Sequence, residues 1–490
     1  MIKRNSVFLA VLCLSGATTT LAFTTGSDRP AEVRPGQSGT LPPPNTSSPE
    51  TTLGTLETGE ATLEDDWFNT VLQKLPTVDD SARREIVLNR DKNGCYLPQN
   101  MLGAPSKKAP TVPPPPSTAP PQDKPSGTIE YGEDCGAGSM KWRFKTGNIV
   151  SSSASFSSDG SVMYIGSRDG SLYALRTSDG KLVWKTPSEH AVDVIPAVSD
   201  NMVVYGSSSA RLTAVNPIDA KPIWSFNAKD GVFQSSPLIV GDRVFSGGGG
   251  HFVSSFEKAT GKLVWERELG MWVQSSVAHR NGVIYIGSDA GFLVAYDASS
   301  GREMWKFAAR MPGEPDEELA AASDPKITPD GHRSNILSTP RFQDNLVFIT
   351  SIAGMIYAVN ADTGKEVWSF LGERIVTDTK VSNGVLYTHS DLGVLRAFDA
   401  RTGRVLWGAR TGTAQNYWPG PYQTASAPDV YSNQVIVGGT DGDVSSYDST
   451  TGAVKWSFRT GDWVMSSPRV SGDTVFVGSN DGWIYALNLA

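Results

Sequence analysis

The residues to test first for chemistry are five histidines, His190, His251, His279, His332 and His389. No two of them stand at a metal-ligand spacing such as H-x-x-x-H, so each reads as a surface or loop residue. Neither a G-x-S-x-G nucleophile turn nor a C-x-x-C-H haem attachment occurs. The run Gly247–Gly250 is glycine-rich, but no helix follows it to hold a phosphate. Five polar residues, Asp193, Gln234, Gln274, Asp378 and Gln423, fall near the starts of short strands. They could face a channel and hold an ion or a polar ligand, or they could cap strand ends. A second set is aromatic. Phe233, Trp272 and Trp463 stand in GVFQSS, GMWVQSS and GDWVMSS, and Tyr417, Trp418 and Tyr422 in TGTAQNYWPGPY. Rings held at a rim suit recognition of a peptide, a sugar or another protein surface; the alternative is that each packs under its own loop.

The elements that position these residues are set by eight tryptophans: Trp142, Trp184, Trp224, Trp265, Trp305, Trp368, Trp407 and Trp456. Their successive spacings are 42, 40, 41, 40, 63, 39 and 49 residues. A period near 40 with a fixed aromatic marks a repeat array. Each unit is an apolar run, a Gly-rich turn, an alternating run, a second turn carrying Gly, and a short run ending in Trp; one further strand lies upstream. Gly between alternating β-branched and aromatic residues signals hairpins. Four short antiparallel strands cannot bury both faces of their sheet alone, and radial stacking solves the problem. The expected architecture is therefore all-β, an eight-bladed β-propeller over residues 139–490.

The last unit, ending at Asn488, lacks a Trp strand, whereas Met140–Gly147 (MKWRFKTG) duplicates the pattern of Lys455–Gly461 (KWSFRTG). Residues 140–146 should therefore be the outer strand of the eighth blade, pairing beside 483–488 and removing an open edge. Trp rings should wedge between neighbouring blades.

The repeat A-x-[DN]-x-x-T-G-x-x-x-W, present at Ala358–Trp368 and Ala397–Trp407, resembles the PQQ-like (quinoprotein) propeller repeat. That family holds quinone-dependent dehydrogenases and non-catalytic propellers of the BamB type, so it implies the fold and leaves function open. The dehydrogenase branch implies a vicinal Cys-Cys disulfide beside pyrroloquinoline quinone (PQQ) and a calcium ion held by acidic and amide side chains. This chain has no adjacent cysteines, and none at all after Met140.

Two spacings are long because of insertions at 308–335, which carries Glu314-Pro-Asp-Glu-Glu318, and at 411–422. Both join an outer strand to the next inner strand, so both should emerge on one end of the ring. Loops on a rigid scaffold carry function.

Ahead of the propeller, residues 1–22 read as a secretory signal, with Lys3 and Arg4, an apolar stretch from Val7 to Leu14, and Thr20-Leu21-Ala22 as the cleavage site. Leu12 before Cys13 is too bulky for a lipobox-like signal. Residues 23–63 have too few apolar side chains to form a core and should be disordered. Residues 64–100 form either a small helical segment or a linker with transient helix: Trp67, Phe68, Val71, Leu72 and Leu75 recur at helical spacing before Pro76. Residues 101–138 are a Pro-rich linker including Pro113–Pro116. Without the signal, Cys95 and Cys135 remain, which suggests a disulfide in an exported protein; free thiols or pairing between chains are the alternatives. The net charge of −8 gives no reason to bind nucleic acid or anionic lipid, and no stretch is long and apolar enough to span a bilayer.

These readings converge on an exported propeller, periplasmic or extracellular. Its expected role is a non-catalytic scaffold for an envelope protein or an extended ligand, with no cofactor and no metal. The alternative is a PQQ- and calcium-dependent dehydrogenase of alcohols or sugars.

Overall fold

The structure is a computed structural model and describes residues 92, 93, 95 and 124–490, apart from 229–230, 249, 311–334, 374, 376 and 412–425. The readings for 1–22 and 23–63, and nearly all of those for 64–100 and 101–123, lie outside the described residues. So do His332, Tyr417, Trp418, Tyr422, Gln423 and most of both insertions.

Eight antiparallel sheets follow one another around a ring. Blade 1 runs from its inner strand Ser155–Phe156 through Val162–Ser167 and Ser171–Arg176 to its outer strand Leu182–Pro187. Blades 2 to 7 repeat that order, with inner strands at Ala197–Ser199, Leu238–Val240, Ala278–Arg280, Arg341–Gln343, Lys380–Ser382 and Asp429–Tyr431. Blade 8 is composite. Arg469–Ser471, Thr474–Gly478 and Trp483–Asn488 come from the C-terminal end, and Met140–Lys145 supplies the outer strand, with Trp142 opposite Ala486 and Phe144 opposite Ile484. The expected closure is thus present. A fifth strand, Ile129–Tyr131, adds to the outside of this blade and was not foreseen. Arg143 joins the two additions: its guanidinium lies over the Trp483 ring at 4.1 Å and pairs with Glu130.

The second and third strands are buried on both faces because each sheet is sandwiched between two others. The core is therefore divided among the seams. Between blades 8 and 1, for instance, Trp142, Phe144, Phe476 and Ile484 meet Met163, Ile165 and Tyr173.

Each seam is keyed by a Trp. The outer strand shifts register by one residue just before its Trp, in all eight blades. Seven indole N–H groups then donate to a backbone carbonyl of the next blade, as from Trp184 to Pro217 (2.8 Å), Trp305 to Ala361 (2.9 Å) and Trp407 to Ser449 (3.0 Å). Trp456 donates instead to Gln434 Oε1 (3.0 Å) within its own blade.

The ring face lies on the turn glycine of the repeat motif. A Cβ on Gly180, Gly301 or Gly452 would stand 2.6 Å from the Trp of the preceding blade, and these glycines have φ near +70°. Two constraints, positive φ and a close indole, select glycine at this position. The Asp or Asn of the motif forms the same turn: Asp399 Oδ1 accepts Thr402 N–H (3.0 Å) and Oγ1–H (2.9 Å), and Asn360 does likewise for Thr363.

Cys95 and Cys135 form a disulfide with 5.1 Å between Cα atoms. Beside it, Met140 N–H donates to Asn93 O (2.8 Å), so the chain around residue 93 meets the outer edge of blade 8.

Candidate functional site

Side chains alternate along each inner segment between the seam and the central channel. The seam-facing residues are Val150, Val192, Phe233, Val273, Ile336 and Val464. Each fills space left by a glycine of the preceding blade's second strand, where a Cβ would meet it at 2.2–2.6 Å. This corrects the expectation for Phe233. It is 3% exposed and packs among Leu212, Val244 and Phe256, so it is a core ring. GVFQSS carries its ring one residue before Gln, whereas GMWVQSS carries it two before, and a one-residue step reverses the face.

Trp272 does stand at the rim and is 46% exposed; Trp463 is half-buried. Both backbones are tied down, since Asp289 N–H donates to Trp272 O (2.9 Å) and Asn480 N–H to Trp463 O (2.8 Å). These rings precede blades 4 and 8, four blades apart, and so face one another across the mouth. Leu371 and Leu392, 44% and 37% exposed, are apolar additions on blades 5 and 6 at that same end. The sequence reading missed them because single exposed leucines carry no motif.

The channel begins at the level of Asp193, Gln234 and Gln274. Asp193 accepts from Ser151 Oγ (2.5 Å) and pairs with Arg168 (3.0 Å). Gln234 is exposed. Gln274 Nε2 donates to Asp289 Oδ2 (2.9 Å), while Asp289 Oδ1 is buried without a partner. Burial therefore pushes the Asp289 carboxyl up to about 6, against the lowering effect of the Gln274 hydrogen bond. Asp378 lies one layer deeper, two residues further along its strand than that level. It accepts Thr339 N–H (2.6 Å) and pairs with Arg341 (2.8 Å).

A deeper layer was also missed. Four residues beyond the level of Gln274 the corresponding positions hold Ser155, Ala197, Leu238 and Ala278 in blades 1 to 4, but Arg341, Lys380, Asp429 and Arg469 in blades 5 to 8. Lys380 pairs with Asp429 (2.7 Å). A cavity of about 190 Å³ opens here, bounded by Arg341, Asp378, Lys380 and Arg469 and, from the far side of the channel, by Ile195. The signal lay in the aligned pairs Pro340-Arg341 and Pro468-Arg469.

His389 is a further correction. It is 1% exposed, not a surface or loop residue. It takes the second-strand position that is glycine in blade 4, and its ring nitrogens contact Ser426 O (2.8 Å) and Thr411 Oγ1 (2.7 Å).

A quinone with calcium would need acidic and amide oxygens converging on one point. Among the described residues they do not converge. Asp193, Asp378 and Asp429 are each committed to a different cation, and Asp289 stands with Gln274 alone. The cluster of three potential metal donors among the described residues, Cys95, Glu133 and Cys135, has both sulfurs in the disulfide. The described residues do not fit that cofactor pair.

Comparisons with known proteins agree with this architecture. The outer membrane protein assembly factor BamB of Burkholderia pseudomallei (strain K96243) is 24% identical over 288 residues, 55% of this chain and 67% of that protein. The tetrathionate hydrolase of Acidithiobacillus ferrooxidans is 22% identical over 344 residues, covering 60% and 64%. The chain thus spans about two thirds of the length of these relatives. A shorter stretch of 141 residues is 32% identical to the quinohemoprotein alcohol dehydrogenase ADH IIB of Pseudomonas putida, covering 25% and 20%. The crystal structure of BamB from Moraxella catarrhalis superposes with a TM-score of 0.58 at 16% identity, over 72% of this chain and all of that one, a likeness of fold. A family model described as outer membrane protein assembly factor BamB matches residues 127–272, 251–328 and 319–489, and the chain belongs to that family of PQQ-type propellers.

Proposed function

We propose that the chain is an exported, non-catalytic propeller that docks an envelope protein or an extended ligand on the face carrying the loops between blades. The observation that supports this most is Trp272. A large ring 46% exposed, on a backbone held by Asp289, is a ready anchor for a partner. Trp463 across the mouth, with Tyr417, Trp418 and Tyr422 of the second insertion and the acidic insertion 308–335, would complete the docking face. Family membership supports an assembly role of the BamB kind, while Leu12 before Cys13 and the long N-terminal extension weigh against that specific role.

The test replaces Trp272, Trp418 and Trp463 with Ala. Capture of partners from the native envelope should be lost, with the melting temperature almost unchanged. A large fall in melting temperature would instead make these rings part of the core. The dehydrogenase reading is separated by adding PQQ and calcium to the purified protein and following dye reduction with alcohols and sugars; no turnover is expected.

A further inference from the structure

We propose that the cationic layer of the channel is a binding site for a small organic carboxylate, with Arg469 as its receiving group. Arg341 and Lys380 already have counter-charges in Asp378 and Asp429. Arg469 does not. Its Nε is buried without a hydrogen-bond partner, and among the described residues no ion pair reaches its guanidinium. Three cations thus face two carboxylates around one cavity, and the surplus positive charge sits on the residue left unpaired.

A guanidinium remains protonated in proteins and offers a planar fork that matches a carboxylate. Burial of a charge without a partner is costly, and a bound anion relieves that cost. Burial draws the Arg469 guanidinium below its ordinary value, with Asp429 and Asp378 opposing that shift and Arg341 adding to it, so the group lies within the electrostatic reach of both neighbouring pairs.

The rest of the wall argues for an organic acid over an inorganic ion. Ile195, Phe342, Val381, Ala427 and Pro428 line the same cavity. A short hydrocarbon body would lie against these side chains while its carboxylate meets Arg469. A volume of about 190 Å³ suits a ligand of roughly six to eight non-hydrogen atoms. This site goes beyond the docking reading: it lies four residues down the strand from the mouth and uses none of the rim rings.

The experiment is calorimetric titration of the full chain with butyrate, succinate and sulfate. A carboxylate should bind more tightly than sulfate and weaken as salt rises. Arg469→Gln should weaken carboxylate binding about 10- to 100-fold, the loss of a charged hydrogen-bond donor. Lys380→Met should weaken it and Asp429→Asn should strengthen it, which keeps the test decisive should Arg469→Gln fold poorly. The Trp272→Ala, Trp463→Ala double variant should bind carboxylate unchanged, separating this site from the rim. Binding of sulfate alone, no binding of either acid, undiminished binding by a folded Arg469→Gln variant, or weakening by Asp429→Asn would each overturn the proposal.

Discussion

The seams and the channel are built from the same eight repeats and obey different rules. At the seams one solution recurs around the ring: an indole over a turn residue with positive φ, after a one-residue register shift in the outer strand. In the channel the repeat is abandoned. The layer that holds Ser, Ala, Leu and Ala in blades 1 to 4 holds Arg, Lys, Asp and Arg in blades 5 to 8. The seams are where the repeat is constrained by packing against a copy of itself. The channel is open space, where a side chain answers to whatever occupies it. Repetition therefore reports the fold, and departures from repetition report the site.

The strongest way to break this comparison is to remove a seam ring. Trp407→Ala deletes a side chain 2% exposed, together with its hydrogen bond to Ser449 O and its contact with Gly452. The expected loss of stability is about 3–5 kcal/mol, measured by denaturant unfolding. Ligand binding in the channel should persist in the folded fraction.

A seam also contains a charged exception. Arg396, on the third strand of blade 6, takes the position of Val294 in blade 4 and Tyr357 in blade 5, and pairs in two places with Glu373. Both side chains are almost wholly buried, and burial draws Arg396 down to about 10, still charged at neutral pH. Glu373→Gln leaves that charge without its counter-ion and should cost about 3 kcal/mol. A loss well under 1 kcal/mol would mean that water reaches the pair.

At the channel mouth the expected sign is the opposite. Folding raises the Asp289 carboxyl from an ordinary 3.8 to about 6. The folded state then binds more protons than the unfolded one between those values. The contribution of this carboxyl to stability is greatest below about pH 4, falls as pH rises toward 6, and levels off above it. Asp289→Asn should remove that fall and stabilise the protein at pH 8 by on the order of 2–3 kcal/mol. Unfolding curves from pH 3.5 to 8 measure both the slope and its loss. A wild-type protein that gains stability from pH 4 to 6 at this residue would place Asp289 against a cation.

How much was legible beforehand follows from the same division. The Trp period and the closure by Met140–Lys145 could be read because each seam requires the same residues, and 140–147 copies 455–461. The Phe233 face was misread because one residue of offset before Gln234 is invisible until the strand is placed against Gly206. His389 looked like a loop residue because its partners, Ser426 and Thr411, belong to other strands and turns. The charged layer escaped because Arg341, Lys380, Asp429 and Arg469 lie 39, 49 and 40 residues apart and meet only once eight sheets are ranked around an axis. The strand Ile129–Tyr131 has just three residues and draws its order from Arg143 and the edge of blade 8.

The smallest effect gives the sharpest reading of the seam rule. Ala220 stands where the other turns have glycine, at φ 57°, packed against Trp184. An L-residue in that conformation costs roughly 1–2 kcal/mol, partly offset because glycine loses more chain entropy on folding. Ala220→Gly should therefore stabilise by about 0.5–1 kcal/mol. The reverse change, Gly301→Ala, meets the same backbone penalty and also drives a Cβ to 2.6 Å from Trp265, so it should destabilise by more than Ala220→Gly gains. The two variants separate the causes. Equal and opposite shifts would mean that backbone conformation alone selects glycine, whereas a larger loss at Gly301 than the gain at Ala220 assigns the excess to the indole stacked on the turn.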